Sequence, residues 1–140
     1  MTEFRTQVYF ALSGESFDPF EISKRLKVLP TESWKKGDRG KYNPSLKNSG
    51  WIYSSKIGSE YIEISKLINE FVRKFENNIE ILIDLKNEFN LTSVLEIVLD
   101  IDINPSQTTP ALFLDLKTIE FLSTTKTTFD VDIYRFSSEK

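Results

Sequence analysis

The residues best suited to chemistry in this sequence form two groups, and the first is a cation-rich segment bounded by two tryptophans (residues 34–51, the basic segment). Lysine and arginine hold phosphates or carboxylates, while aromatic rings stack on bases or fill pockets of a partner protein. The residues that we expect to make such contacts are Trp34, Lys35, Lys36, Asp38, Arg39, Lys41 and Trp51. The alternative interpretation is an irregular structural cover, anchored by its aromatic side chains and surrounded by solvated lysines.

The charge of the chain is unevenly distributed. The basic segment, which also contains Lys47, has a formal charge of +4, whereas the whole chain has a net charge of −3. The remaining residues therefore carry −7. A dedicated nucleic-acid domain is usually basic over its whole footprint, so the acidity of this chain favours a protein partner over nucleic acid.

The second group consists of carboxylates at alternate positions of two predicted strands: Glu96, Asp100, Asp102, Asp130 and Asp132. Alternate residues of a strand point to the same face of a sheet. If the two strands were neighbours, the four aspartates would gather on one solvent-facing side, with Glu96 nearby. Such an acidic face could bind a divalent cation, act in acid–base hydrolysis or dock a basic partner. Solvated aspartates with no further role are the alternative interpretation.

The composition removes several kinds of catalytic site. The chain has no histidine and no cysteine, so it lacks the usual general base, the usual zinc ligands and every thiol nucleophile. Gly37 and Gly40 do not have the spacing of a phosphate-binding loop. We therefore expect no cofactor, assign no catalytic residue and no dedicated metal ligand, and favour a non-enzymatic protein.

The hydrophobic pattern predicts the framework that must position these residues. Apolar side chains alternate with polar ones over four stretches, which predicts strands at 7–13, 51–56, 92–103 and 127–136. Residues 31–49 show no sustained period and contain two glycines and a proline, so they predict a long loop.

Capping residues and three- to four-residue spacing predict the helices. Asp18 and Pro19 start a short helix that ends near Lys27, and Asp115 opens another. Residues 60–89 predict two helices or one kinked helix, with Tyr61 on the buried side. Asn77 and Asn78 interrupt this stretch and Asn90 ends it.

One face of each predicted strand is apolar and the other is polar, which indicates a sheet covered by helices on a single side. The residues expected to point inward are Val8, Phe10, Leu12, Leu95, Ile97, Leu99, Ile101, Ile103, Phe129, Val131 and Ile133 on the strands, and Leu116, Ile119 and Leu122 on the last helix. The prediction is a two-layer α+β sandwich with a roughly four-stranded sheet, forming a single domain over residues 1–140.

The sequence also bears on the compartment. No apolar run approaches the roughly 20 residues that a membrane-spanning helix needs, and Glu3 and Arg5 interrupt any signal-like start. The lack of cysteine is compatible with a reducing environment. We expect a cytoplasmic protein that does not associate with membranes.

The first third of the chain resembles a known family. It contains SGESFDPFEISKRLKVLPTESWKKGD and, further on, SGW. This pattern is similar to the DUF4279 family, and the matching positions are Gly14, Phe17, Pro19, Ile22, Leu26, Pro30, Thr31, Trp34, Gly37, Asp38, Gly50 and Trp51. The resemblance extends to the later helices and strands. It implies a small bacterial or bacteriophage-borne protein and brings no assigned activity and no catalytic residues.

Three functional hypotheses follow. The first is a non-enzymatic cytoplasmic protein that binds another macromolecule, as an immunity or accessory protein does, through the acidic face or the basic segment. The second is a metal-binding protein or hydrolase that uses the acidic face. The third is an anion- or nucleic-acid-binding protein that uses the basic segment.

Overall fold

The computed structural model of the protein describes residues 6–55 and 64–139. In these ranges the chain forms five β-strands and four α-helices. The strands are β1 (Gln7–Gly14), β2 (Glu32–Trp34), β3 (Ser49–Ser54), β4 (Thr92–Asp102) and β5 (Thr128–Phe136). The helices are α1 (Pro19–Leu26), α2 (Ile64–Phe75), α3 (Ile79–Phe89) and α4 (Leu116–Thr125).

The strands form one open mixed sheet in the order β2-β3-β1-β4-β5. All neighbouring pairs are antiparallel except β4 and β5, which are parallel. A parallel pair of consecutive strands needs a crossover connection, and α4 provides it. The α+β class is thus confirmed, with five strands where about four were expected.

Side chains alternate between the two faces of the sheet along β1 and β4, and the apolar face of these strands forms one side of the core. The predicted inward residues Val8, Phe10 and Leu12 are buried, as are Leu95 and its neighbours on the same face of β4. Aromatic rings from the helices pack on this face; the ring centroids of Phe10 and Phe71 are 5.2 Å apart, a spacing typical of favourable aromatic pairs. The helices therefore cover one face of the sheet, as predicted.

The helix boundaries follow from local chemistry. The Asp18 side chain accepts a hydrogen bond from the Phe20 N–H at 3.0 Å, so it caps α1 as predicted. A 3-10 turn, Glu76–Asn78, separates α2 from α3, which confirms the predicted interruption. Asn90 adopts a left-handed conformation with φ of 53° and ends α3. Within the described residues, no helix has the length and apolar character that crossing a membrane would require.

Some predictions fall outside the described residues. The expected helix start at residue 60 and the inward position of Tyr61 belong to this group, as does the last residue of the strand predicted at 51–56. The first described residue of α2 is Ile64, which is buried.

Strand β2 was not predicted. It lies within residues 31–49 and pairs with β3 through Glu32 opposite Ile52 and Trp34 opposite Gly50. Three residues are too few to show a period of two, and only tertiary pairing reveals them as a strand. β3 also begins at Ser49, two residues earlier than expected.

The predicted buried face of α4 is only partly correct. Leu116 is 69% exposed and Ile119 is exposed as well, whereas Phe121 and Leu122 are buried together with Thr118 and Thr125. Phe121 sets this orientation because its ring packs edge-on against Phe71, with the centroids 5.5 Å apart. Leu122 is buried as expected.

Two isoleucines expected in the core are exposed. Ile103 is the first residue after the end of β4. Ile133 lies on β5, which has no neighbour on its outer side in the described sheet. An edge strand buries less of its apolar face than a central strand does, so the inward pattern of β5 is only partly realised.

A polar network fixes the crossover between β4 and β5. The Lys86 ammonium donates to the Ser93 hydroxyl at 2.7 Å and to the carbonyls of Thr125 and Lys126 at 2.7 and 2.8 Å. Helix α4 therefore has a cationic donor for its last carbonyls. Burial lowers the pKa of Lys86, and the nearby charge of Lys126 lowers it further.

Replacing Lys86 should destabilise the fold. We expect Lys86→Met to lower the free energy of unfolding by about 1–3 kcal/mol, because it leaves buried acceptors without a donor. Urea denaturation followed by circular dichroism measures this change. Lys66→Met is the matched control, since Lys66 is an exposed lysine on a helix. Equal effects of the two substitutions would contradict the structural role of Lys86.

Candidate functional site

The basic segment is an ordered loop. Its two arms are joined by the Gly37 N–H, which donates to the Leu46 carbonyl at 2.8 Å, and by the Leu46 N–H, which donates to the Asp38 carbonyl at 2.8 Å. Gly37 has a φ of +94°, which favours glycine. The Asp38 carboxylate accepts from the Lys35 N–H at 2.8 Å and tightens the turn. The cations of the loop are thus held on a defined backbone.

Trp51 anchors the basic segment from inside the core. It is fully buried, and its indole N–H donates to the Ser23 hydroxyl of α1 at 2.9 Å. Its ring packs edge-on against Phe75, with the centroids 6.4 Å apart. Trp51 has no surface with which to contact a partner, which removes it from the binding candidates and leaves the anchoring role.

Trp34 lies across the backbone of Gly50 on the neighbouring strand. A Cβ atom at position 50 would be 2.2 Å from the Trp34 ring, so only glycine allows this close approach. The Trp34 indole N–H donates to the Asn48 side chain at 3.4 Å. The ring is half-buried in this position, which leaves part of it available at the surface.

Beside Trp34, a cavity of about 440 Å³ opens between α1 and β2 (the α1–β2 groove). Its lining residues are Asp18, Pro19, Phe20, Ser23, Leu29, Pro30, Ser33, Trp34, Lys35 and Asp38. Phe20 and Leu29, which both line this cavity, are 71% and 83% exposed and add apolar surface to it. The groove brings together three of the predicted binding residues: Trp34, Lys35 and Asp38.

The charges around the groove are only partly balanced. Lys35 lies 3.5 Å from the Asp18 carboxylate, and Lys36 lies 3.7 Å from Glu15. Arg39 and Lys41 have no acidic partner within residues 6–55 and 64–139, although Lys41 lies over the Tyr42 ring at 5.3 Å. The loop therefore presents positive charge next to an apolar groove.

The carboxylates come together differently from the prediction. β4 and β5 are neighbours, but Glu96 lies opposite Asp130, whereas Asp100 lies opposite Tyr134. Oxygen atoms of Glu96, Asp130 and Asp132 all lie within 4.8 Å of one another (the carboxylate cluster). The cluster is therefore centred on Glu96, whereas the sequence predicts a cluster of four aspartates with Glu96 only nearby.

The predicted solvent exposure of three carboxylates is wrong. Glu96, Asp100 and Asp102 are buried; β1 and β5 flank β4 at Glu96, and β5 continues beside β4 as far as Asp102. Asp102 accepts hydrogen bonds from the Ser138 hydroxyl at 2.6 Å, the Ser138 N–H at 3.0 Å and the Asn104 N–H at 3.1 Å. These bonds lower the pKa of Asp102 and join the C-terminal residues to the end of β4. Asp102 therefore has a structural role.

Glu96 has an unusual environment for a carboxylate. It is 4% exposed, and its Oε1 atom has no hydrogen-bond partner in the described part of the chain. Burial raises the pKa of Glu96 to about 7, and hydrogen bonding to Asp130 and Asp132 with their negative charges adds to this effect. Glu96 is thus able to gain or lose a proton near neutral pH.

Tyr9 completes the surroundings of Glu96. It lies opposite Glu96 on β1. Burial raises the pKa of the Tyr9 hydroxyl, and the charges of Glu96 and Asp132 raise it further, so the phenol stays protonated. Tyr9 is not among the residues predicted from the sequence, although its position on the polar side of the first predicted strand was a usable signal. Phe20 and Leu29 were missed because no pattern distinguishes an exposed apolar residue from a buried one.

Comparison with known proteins identifies the family. The family model described as "Domain of unknown function (DUF4279)" matches residues 2–136 of the 140-residue chain. No curated protein and no solved structure gives a match. The chain therefore belongs to the DUF4279 family, as the resemblance in the sequence indicated.

The environment of Glu96 predicts a pH-dependent stability. Because its pKa in the folded protein, about 7, is above the ordinary value of 4.5, the folded state binds this proton more tightly than the unfolded state does. The stabilisation from this tighter proton binding is complete below about pH 4.5 and is lost as the pH rises through 7. We expect the free energy of unfolding of Glu96→Gln to rise relative to that of the wild type, by up to about 3 kcal/mol, as the pH increases from 5 to 8.

Urea denaturation at several pH values, in the presence of a chelator, measures this difference. Glu80→Gln, at an exposed position of α3, is the matched control and should follow the wild type at each pH. A constant difference between Glu96→Gln and the wild type from pH 5 to pH 8 would show that Glu96 does not titrate in this range.

Proposed function

We propose that this DUF4279 domain binds a partner protein in the α1–β2 groove and with the adjoining cations of the basic segment. In this proposal it is a non-enzymatic cytoplasmic protein of the immunity or accessory kind. The observation that carries the proposal is the coincidence of an apolar groove of about 440 Å³ with unpaired positive charge on an ordered loop.

The apolar side chains of the groove support a protein partner. Phe20, Leu29 and Trp34 offer aromatic and aliphatic surface of the type that forms the energetic centre of protein interfaces. Pro19 and Pro30 stiffen the two segments that carry these side chains. A side chain of the partner that enters the groove would lose contact with water, which is the main source of affinity at such sites.

The charges define the chemistry of the partner. Arg39, Lys41 and Lys47 have no acidic partner within the described ranges, so they attract carboxylates of a second molecule. Asp18 and Asp38 line the groove itself and would repel phosphates and carboxylates alike, so the groove suits an apolar anchor residue while the loop cations suit the carboxylates. The arrangement fits an acidic protein segment with an apolar anchor residue better than it fits a nucleic-acid strand.

The order of the loop also favours binding. Hydrogen bonds within the basic segment, together with the anchoring of Trp51, hold the cations before any partner arrives. A binding surface that is already ordered loses less conformational entropy on association. Flexible lysines on a disordered loop would lack this advantage.

Selection of peptides from a displayed library tests the proposal. We expect the wild-type protein to enrich peptides that combine acidic residues with an aromatic or aliphatic anchor. Leu29→Asp should weaken the binding of these peptides at least about tenfold, because it places a charge on the apolar wall. Leu116→Asp is the matched control, since Leu116 is an exposed leucine far along the chain on α4.

A charge reversal tests whether the cations of the basic segment contribute to binding. Arg39→Glu should weaken the selected peptides and reduce the dependence of their affinity on salt, whereas Lys66→Glu should leave both unchanged. Fluorescence anisotropy at two salt concentrations measures both quantities. If the selected peptides bind Leu29→Asp as tightly as the wild type, the proposal that the groove binds the partner is wrong. If a single-stranded oligonucleotide binds in a salt-sensitive way and in preference to every peptide, the partner is a nucleic acid and not a protein.

A further inference from the structure

We infer that the face of the sheet opposite the helices contains a second site, at which Glu96, Asp130 and Asp132 bind a hard divalent cation, with Ca²⁺ as the best fit. This site is independent of the α1–β2 groove. It is formed by β4 and β5, whereas the groove is formed by α1, β2 and the basic segment.

The strand register brings the three ligands together. Glu96 and Asp130 are direct partners across the parallel pair, and Asp132 follows two residues later on the same face of β5. Their oxygen atoms lie within 4.8 Å of one another. Ca²⁺ binds oxygen at about 2.3–2.6 Å, so opposite ligands of one ion are about 4.6–5.2 Å apart. One Ca²⁺ ion can therefore reach all three carboxylates without movement of the strands.

The buried oxygen of Glu96 points to a ligand in addition to the clustering itself. Glu96 is 4% exposed and its Oε1 atom has no hydrogen-bond donor in the part of the chain that the structure describes. Buried polar atoms are almost always satisfied by a donor, an ordered water molecule or an ion. No lysine or arginine of the described ranges forms an ion pair with these carboxylates, so their charge is not balanced there.

The ligand chemistry selects the class of ion. The cluster offers only carboxylate oxygens, and the chain has no histidine or cysteine to supply nitrogen or sulfur. Oxygen-only sites prefer Ca²⁺, Mg²⁺ or Mn²⁺ to zinc or copper. Mg²⁺ needs a strict octahedron, whereas Ca²⁺ accepts irregular geometry and a variable number of oxygen ligands. The exposed positions of Asp130 and Asp132 leave room for water to complete the coordination shell.

Isothermal titration calorimetry of chelator-treated protein tests the inference. We expect Ca²⁺ to bind with a dissociation constant of about 10⁻⁴–10⁻³ M, as suits a site with three protein ligands and an open side. Asp130→Asn and Asp132→Asn should each weaken the binding at least tenfold. Asp84→Asn, at an exposed position on α3, is the matched control and should bind Ca²⁺ as the wild type does.

A second measurement locates the ion. Substoichiometric Mn²⁺ should broaden the amide signals of residues 94–98 and 129–133 first, because paramagnetic relaxation falls steeply with distance. The inference is overturned if Ca²⁺ gives no binding heat up to 20 mM (about twenty times the weakest expected constant), if Asp130→Asn binds as the wild type does, or if the broadening centres elsewhere. Leu29→Asp should not affect the Ca²⁺ titration, so failure of this site and failure of the groove are distinguishable.

Discussion

The parallel pairing of β4 and β5 is the constraint on which most of the structure depends. Two consecutive strands can run parallel only if the chain between them crosses over one face of the sheet, and α4 makes this crossing. The helix layer is thereby completed on that face, while the polar side chains of both strands are left on the other. Lys86 binds the last carbonyls of α4 and so contributes to the register that places Asp130 opposite Glu96.

The sequence predicts those parts of the structure that depend on local chemistry. The alternation of Val8, Phe10 and Leu12 predicts a half-covered strand, and the capping side chain of Asp18 predicts a helix start, because both patterns arise from residues close together in the chain. Strand β2 is hidden from such reasoning because its three residues become a strand only by pairing with β3. The orientation of α4 is hidden for a similar reason, since the contact between Phe121 and Phe71 decides it.

The same distinction applies to the sites. Residue types and spacing identify the basic segment and the carboxylates, but the strand register decides that Glu96 rather than Asp100 joins Asp130. The α1–β2 groove depends on Phe20 of α1 and Leu29 of the connection between α1 and β2, both of which are exposed. The sheet order also places the two sites toward opposite edges, about 15–20 Å apart, which is about twice the screening length at physiological salt. The net charge of −3 therefore conceals two surfaces of opposite sign whose mutual interaction is largely screened.

Among the described strands, β5 lies at the edge of the sheet, and this position has a consequence for solubility. An edge strand exposes backbone groups that can pair with another molecule, and Ile133 adds apolar surface at this edge. Asp130 and Asp132 alternate along the same strand, and two copies approaching edge to edge would bring these charges face to face. The like charges of these carboxylates thus oppose edge-to-edge association of two copies. Any ligand that neutralises them removes part of the repulsion that keeps neighbouring molecules apart.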